Sequence, residues 1–75
     1  MNYAVEQRMR FIDFLLAQYG HINRAALMDY FGIGSACATR DFKAYKELNP
    51  DGIWLNDSDK NYYKTVAFKR VWPEG

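Results

Sequence analysis

A glycine-bearing break in the middle of the chain, Gly32-Ile33-Gly34, limits what it can become. Before the break, Ala26, Leu27, Tyr30 and Phe31 recur at the spacing of an apolar helix face, over residues 24–30 and the position after them. After it, Ala38, Phe42, Tyr45 and Leu48 recur at steps of three and four, which turns them to one side of a second helix over residues 35–48. Glycine lets the chain reverse between them without steric cost. Two short helices joined by such a turn read as a helix-turn-helix.

The face of the second helix opposite its apolar stripe carries Ser35, Ala36, Thr39, Arg40, Lys43 and Lys46. Short side chains at its start would let the backbone approach closely, and a major groove is only about 12 Å wide. Arg40 and Lys43 then reach base edges or phosphates. The competing reading is a plain solvated helix face. The position directly after a glycine turn favours double-stranded DNA as the partner.

The flanking segments complete a small domain. Val5, Met9, Ile12, Leu16 and Tyr19 form a stripe on a first helix over residues 3–19, which Gly20 ends. A second row, Ala4, Phe11, Phe14 and Leu15 with Gln18, lies around the other side and exceeds what one small core can cover. His21-Ile22 reads as an extended connector, and Asn23 as the N-cap of the helix over residues 24–30. Asn49-Pro50 stops the third helix. From Gly52 the period changes to two: Ile53 and Leu55 flank Trp54, residues 56–59 form a polar turn, and residues 61–68 resume as a strand. The expected fold is mainly α with a small β-hairpin, a winged helix-turn-helix of three helices plus a two-stranded wing. It is a single domain over residues 1–75, with a core at about 3–68 and a C-terminal tail at 69–75.

Composition narrows the function. The formal net charge is only +1, so any electrostatic face is local: Arg40, Lys43 and Lys46 in one group, Lys60, Lys64, Lys69 and Arg70 in another. Acids are spread elsewhere, Asp13 among them. The single cysteine, Cys37, leaves no internal disulfide and fits a cytoplasmic setting. No apolar run approaches the roughly 20 residues that span a bilayer, and the start lacks a signal-peptide pattern. The chain opens with Met1 and is expected to be a whole gene product. One histidine, His21, without clustered carboxylates offers no metal site, and no nucleophile–base pair offers catalysis. No cofactor, membrane or small-molecule ligand is expected.

The order Gly20-His21-Ile22-Asn23-Arg24, Leu27, Phe31-Gly32-Ile33, Asp41-Phe42, Tyr45, Leu48, Pro50 and Lys60-Asn61-Tyr62 resembles the winged helix-turn-helix of DeoR-like bacterial repressors. It is closer still to the N-terminal DNA-binding domain of WYL-domain regulators of bacterial and phage-defence operons. The resemblance covers about residues 5–68 and implies a sequence-specific transcriptional regulator, a small repressor of the kind phages and mobile elements encode. Two positions depart from it: Gly34 stands where serine usually caps the recognition helix, and Cys37 where glutamine is common. The WYL and sugar-phosphate sensing domains have no counterpart in the sequence. Asp41, a hallmark of the resemblance, reads as structural, since a carboxylate facing phosphates would repel them.

The wing is open to two readings. Lys60 and Lys64 reach phosphates, or the tip is simply solvated, as Asp57 and Asp59 beside it suggest. Trp54 and Trp72 read as packing residues, and Cys37 as a small half-buried one. The apolar row Phe11, Phe14 and Leu15, with Trp72 in the tail, points to a homodimer, because a lone module of this size buries little DNA surface. Two alternatives to a regulator stand beside it: a winged-helix protein-interaction module, and a DNA-bending, excisionase-like architectural protein.

Overall fold

The computed structural model describes residues 2–73. Helix α1, Tyr3–Tyr19, begins where the Asn2 side chain accepts from the Val5 amide at 2.9 Å. It ends at Gly20, whose left-handed φ of 81° lets its amide return to the Leu16 carbonyl at 2.9 Å. Helix α2, Arg24–Phe31, is capped by Asn23, which accepts from Ala26 at 2.9 Å, and ends at left-handed Gly32. Helix α3, Ser35–Leu48, follows Gly34 and stops at Asn49.

The β part is larger than a hairpin. Strands β1 (His21–Ile22), β2 (Ile53–Asn56) and β3 (Asn61–Lys64) form one antiparallel sheet in the order β1-β3-β2. The expected two-stranded wing is present as the β2–β3 hairpin, and β1 adds a third strand to its sheet. The connector His21-Ile22 pairs with Tyr63 and Tyr62, satisfying backbone groups on the β3 edge that a two-stranded wing would leave open. The expected strand over residues 61–68 ends at Lys64, after which the Thr65 amide turns to the Gly52 carbonyl.

Met9, Ile12 and Leu16 of α1, Leu27 of α2 and Ala38, Phe42 and Tyr45 of α3 close over Ile22 and Ile53 of the sheet. Each large side chain among them contributes about 1.5–3 kcal/mol by leaving water. Tyr62 lies flat on Phe42, ring centroids 4.0 Å apart and planes within 1°. Its neighbour Tyr63 faces the other side of the sheet and stacks with Trp54.

Three residues expected to face inward do not: Tyr19, Tyr30 and Leu48 are exposed. All three sit in the last turn of their helix. Tyr30 instead stacks on Phe11 from outside at 4.5 Å, and Phe11 meets Phe31 edge-on at 5.3 Å.

The tail folds back. Phe68, Val71 and Trp72 pack against the core, and the Val71 and Trp72 amides donate to the fully buried Asp13 carboxylate at 2.9 and 3.1 Å.

Candidate nucleic-acid interface

Two carboxylates on its inner side hold α3 at a fixed rotation. Its own Asp41 accepts from Arg8 of α1, at 2.5 Å from Nε and 3.3 Å from Nη2, and from the Cys37 thiol one turn earlier at 3.8 Å. Asp13 of α1 accepts from the Tyr45 hydroxyl at 2.5 Å. The structural reading of Asp41 holds, and Cys37 is half-buried beside it. Burial pushes the Asp13 carboxyl up, but the Tyr45 hydroxyl, the two tail amides and Arg70 outweigh it and hold Asp13 below its ordinary value. Burial, then the Asp13 bond, raise the Tyr45 hydroxyl well above the ordinary tyrosine value. The pair therefore stays a carboxylate and a neutral donor through the physiological range.

With Ala38, Asp41, Phe42 and Tyr45 turned in, the other face of α3 is solvent-facing: Ser35, Ala36, Thr39, Arg40, Lys43 and Lys46 are all exposed. None of the three cations is ion-paired among the described residues, whereas Arg8, Arg10 and Arg70 each hold a carboxylate. Gly34 serves as the N-cap without a side-chain bond, so the first-turn amides of α3 have no side-chain cap. That end of the helix carries partial positive charge.

One residue that the sequence reading passed over belongs here. Arg24, the first residue of α2, donates from Nη1 to the Thr39 hydroxyl at 3.1 Å. In the sequence it stands within the resemblance motif as a cation directly after an N-cap, with nothing local to tie it to α3.

The wing tip approaches the same end. Arg24, Ser35, Lys60 and Asn61 line a cleft of about 380 Å³, with Asp29 and Asp59 also at its walls. Lys60 is the single described non-glycine residue with positive φ, at 62°, and its ammonium stands 4.0 Å from Asp57. The Tyr63 hydroxyl, then the Asn61 amide, hold Asp59 below its ordinary value by donating to it. Lys64 lies at the opposite end of β3, paired with Ile53, and does not line this cleft. Trp54 and Leu55 of β2, both part-exposed, instead flank Lys43 and Lys46 across a second groove of about 280 Å³ with an apolar floor.

The apolar row on α1 is less open than its spacing suggested. Phe14 is 41% exposed, but Phe11, Leu15 and Trp72 are half-buried. Arg70 covers the Phe14 ring at 5.7 Å, and Arg10 covers Trp72 at 5.3 Å. The tail expected to offer free apolar surface is largely spent on the core.

Among the described residues no cluster of three or more His, Cys, Asp or Glu side chains could hold a metal ion, and no helix is long and apolar enough to cross a membrane. Residues 4–75 match the family model of the BrxR transcriptional regulator winged helix-turn-helix domain. The chain is 39% identical over 71 residues to a DNA-binding transcriptional repressor CapW of Escherichia coli (strain KTE188), covering 95% of this chain and 24% of that protein. A CapW repressor of Pseudomonas aeruginosa is 37% identical over 72 residues, covering 96% and 24%, and one of Stenotrophomonas maltophilia 31% over 71 residues, covering 95% and 24%. The chain thus spans about a quarter of the length of these curated relatives.

Proposed function

The chain belongs to the family of BrxR transcriptional regulator winged helix-turn-helix domains, and from that premise we propose that it binds double-stranded DNA sequence-specifically as a transcriptional repressor in the cytoplasm. Helix α3 enters the major groove, with Ser35, Ala36 and Thr39 at close approach and Arg40, Lys43 and Lys46 on base edges and phosphates. The observation that carries this reading is the exposed basic face of α3, unpaired among the described residues and held outward by the Arg8–Asp41 and Tyr45–Asp13 contacts on its other side. A protein-docking module would be expected to show acids or large apolar groups there. The names of the relatives support the same reading. Lys60 adds a phosphate contact from the wing tip; Lys64, away from the tip cleft, adds a weaker one. The unit works without catalysis, cofactor or small-molecule ligand of its own. It binds as a homodimer paired through Phe14 and its surroundings, Phe11, Leu15 and Trp72.

The test is a gel shift of the 75-residue chain on the DNA directly upstream of its own gene, with scrambled DNA of equal length as competitor. A complex that survives the competitor, and weakens steeply with salt, is the expected result. Equal binding to both DNAs would overturn sequence-specific reading.

A further inference from the structure

The bond between Arg24 and Thr39 has a consequence for which base α3 reads. A threonine inside a helix usually bonds its hydroxyl back to a carbonyl three or four residues earlier. The bond that the structure gives Thr39 is a different one: its oxygen accepts from Arg24, 15 positions earlier, at 3.1 Å on the exposed face. Among the described residues the hydroxyl itself donates to no acceptor, so its proton remains available. A cationic donor on an oxygen polarises its O–H, making it a better donor and a poorer acceptor. Asp29 and Asp59 are the acids that line the cleft together with Arg24. Among the described residues Arg24 is ion-paired to neither, and Asp59 is taken up by Tyr63 and Asn61.

We infer that Arg24 is a positioning residue for base recognition, fixing the Thr39 hydroxyl as an outward donor that selects an acceptor-bearing base edge. This rests on the DNA-reading role proposed above for α3. Guanine, adenine and thymine all present acceptors in the major groove, whereas cytosine presents an amino donor. The base facing Thr39 is therefore read chiefly by exclusion: cytosine is disfavoured, and the other three are tolerated according to their neighbours. A side chain from the helix before the turn thus sets the specificity of one on the reading helix.

The experiment is selection of bound duplexes from a randomised pool by the unaltered chain, by Arg24→Met and by Thr39→Val. Arg24→Met keeps the apolar stem and removes the donors; Thr39→Val keeps the shape and removes the hydroxyl. The unaltered chain is expected to disfavour cytosine at one position about fivefold, the worth of one net hydrogen bond. Each variant should lose that discrimination at that same position, and the double variant should lose no more than either alone. Thermal melting should stay unchanged, since both residues are exposed. If Arg24→Met weakens binding to all sequences evenly and keeps the cytosine exclusion, Arg24 is only a phosphate contact and the inference fails while the DNA reading stands. Should Arg24→Met not fold, unchanged base preference in Thr39→Val is enough to overturn it. If the unaltered chain enriches no sequence, the DNA reading falls and takes this inference with it.

Discussion

The hydroxyl of Tyr45 donates to Oδ1 of Asp13 at 2.5 Å, joining α3 to α1 through a carboxylate that no solvent reaches. The same carboxylate accepts from Arg70 Nε at 3.0 Å and from the Val71 and Trp72 amides, while Asn49 donates both to the Tyr45 hydroxyl and to the Lys69 carbonyl, each at 3.0 Å. Helix α1, helix α3 and the tail therefore share one polar joint. The rotation of α3, and with it the outward set Thr39, Arg40 and Lys43, depends on that joint as well as on the apolar core.

Breaking it should be costly. Asp13→Asn leaves Arg70 partly buried without a counter-charge, and its Nη2, already without a partner among the described residues, gains none. Removing one member of such a pair costs about 3–5 kcal/mol, to be read from urea unfolding of the variant against the unaltered chain.

The same group sets an acid limit. The folded-state pKa of Asp13 is lowered, so its contribution is present above the ordinary carboxylate range and is lost as pH falls through the folded value. Stability of the unaltered chain should drop below about pH 4, and Asp13→Asn should show a visibly shallower acid limb. Parallel limbs in the two proteins would show that other carboxylates govern acid unfolding.

Phe42 is the largest apolar lever. It is 1% exposed and lies on Tyr62 at 4.0 Å. Phe42→Ala should cost about 3–5 kcal/mol, close to the whole stability of a small domain. Far-UV circular dichroism should then show a largely unfolded chain at 37 °C, and Phe42→Leu a folded one.

What the residues announced and what they hid follow a physical division. Helix positions were legible because Met9, Ile12 and Leu16, or Ala38, Phe42 and Tyr45, repeat within one element, and because Asn23, Gly20 and Gly32 carry their capping chemistry locally. The outward face of α3 followed from the same period. The two-residue β1 was not legible, since alternation needs more than His21 and Ile22 to be seen. Nor was Asp13: it falls on the inward stripe, yet the partners that make its burial tolerable, Tyr45 and Arg70, stand 32 and 57 positions away. Arg24 was missed for the same reason, because its role exists only once α2 and α3 are packed.

On α3, Arg40→Ala and Lys43→Ala should leave melting unchanged, both being exposed. A bidentate base contact by Arg40 would make its loss cost about 1–3 kcal/mol of affinity, with relaxed preference at one base pair. Lys43→Ala should weaken binding to all sequences alike and lower the salt slope by about one unit. Unchanged affinity in both would remove α3 as the reading element.

At the wing tip, Lys60 holds a left-handed φ of 62° that a side chain adopts reluctantly. Lys60→Gly should therefore keep or slightly raise stability, by up to about 1 kcal/mol, while weakening DNA binding and flattening its salt dependence. A variant with unchanged DNA affinity would leave the tip a solvated turn.

Assembly is tested at Phe14. A single module of this size buries too little surface for tight specific binding, and two-fold pairing over half-sites about one helical turn apart is the usual remedy. Phe14 is the open member of the α1 row, with Arg70 over one side of its ring and Arg10, Phe11 and Tyr30 lining the adjoining hollow. Phe14→Glu places a carboxylate where a second copy would bring apolar surface, next to an arginine that can hold it within one chain. The variant should fold with near-unchanged melting, sediment as a monomer and lose at least tenfold in operator affinity. Sedimentation of the unaltered chain as a monomer at tens of micromolar, with full operator affinity, would refute pairing through this surface.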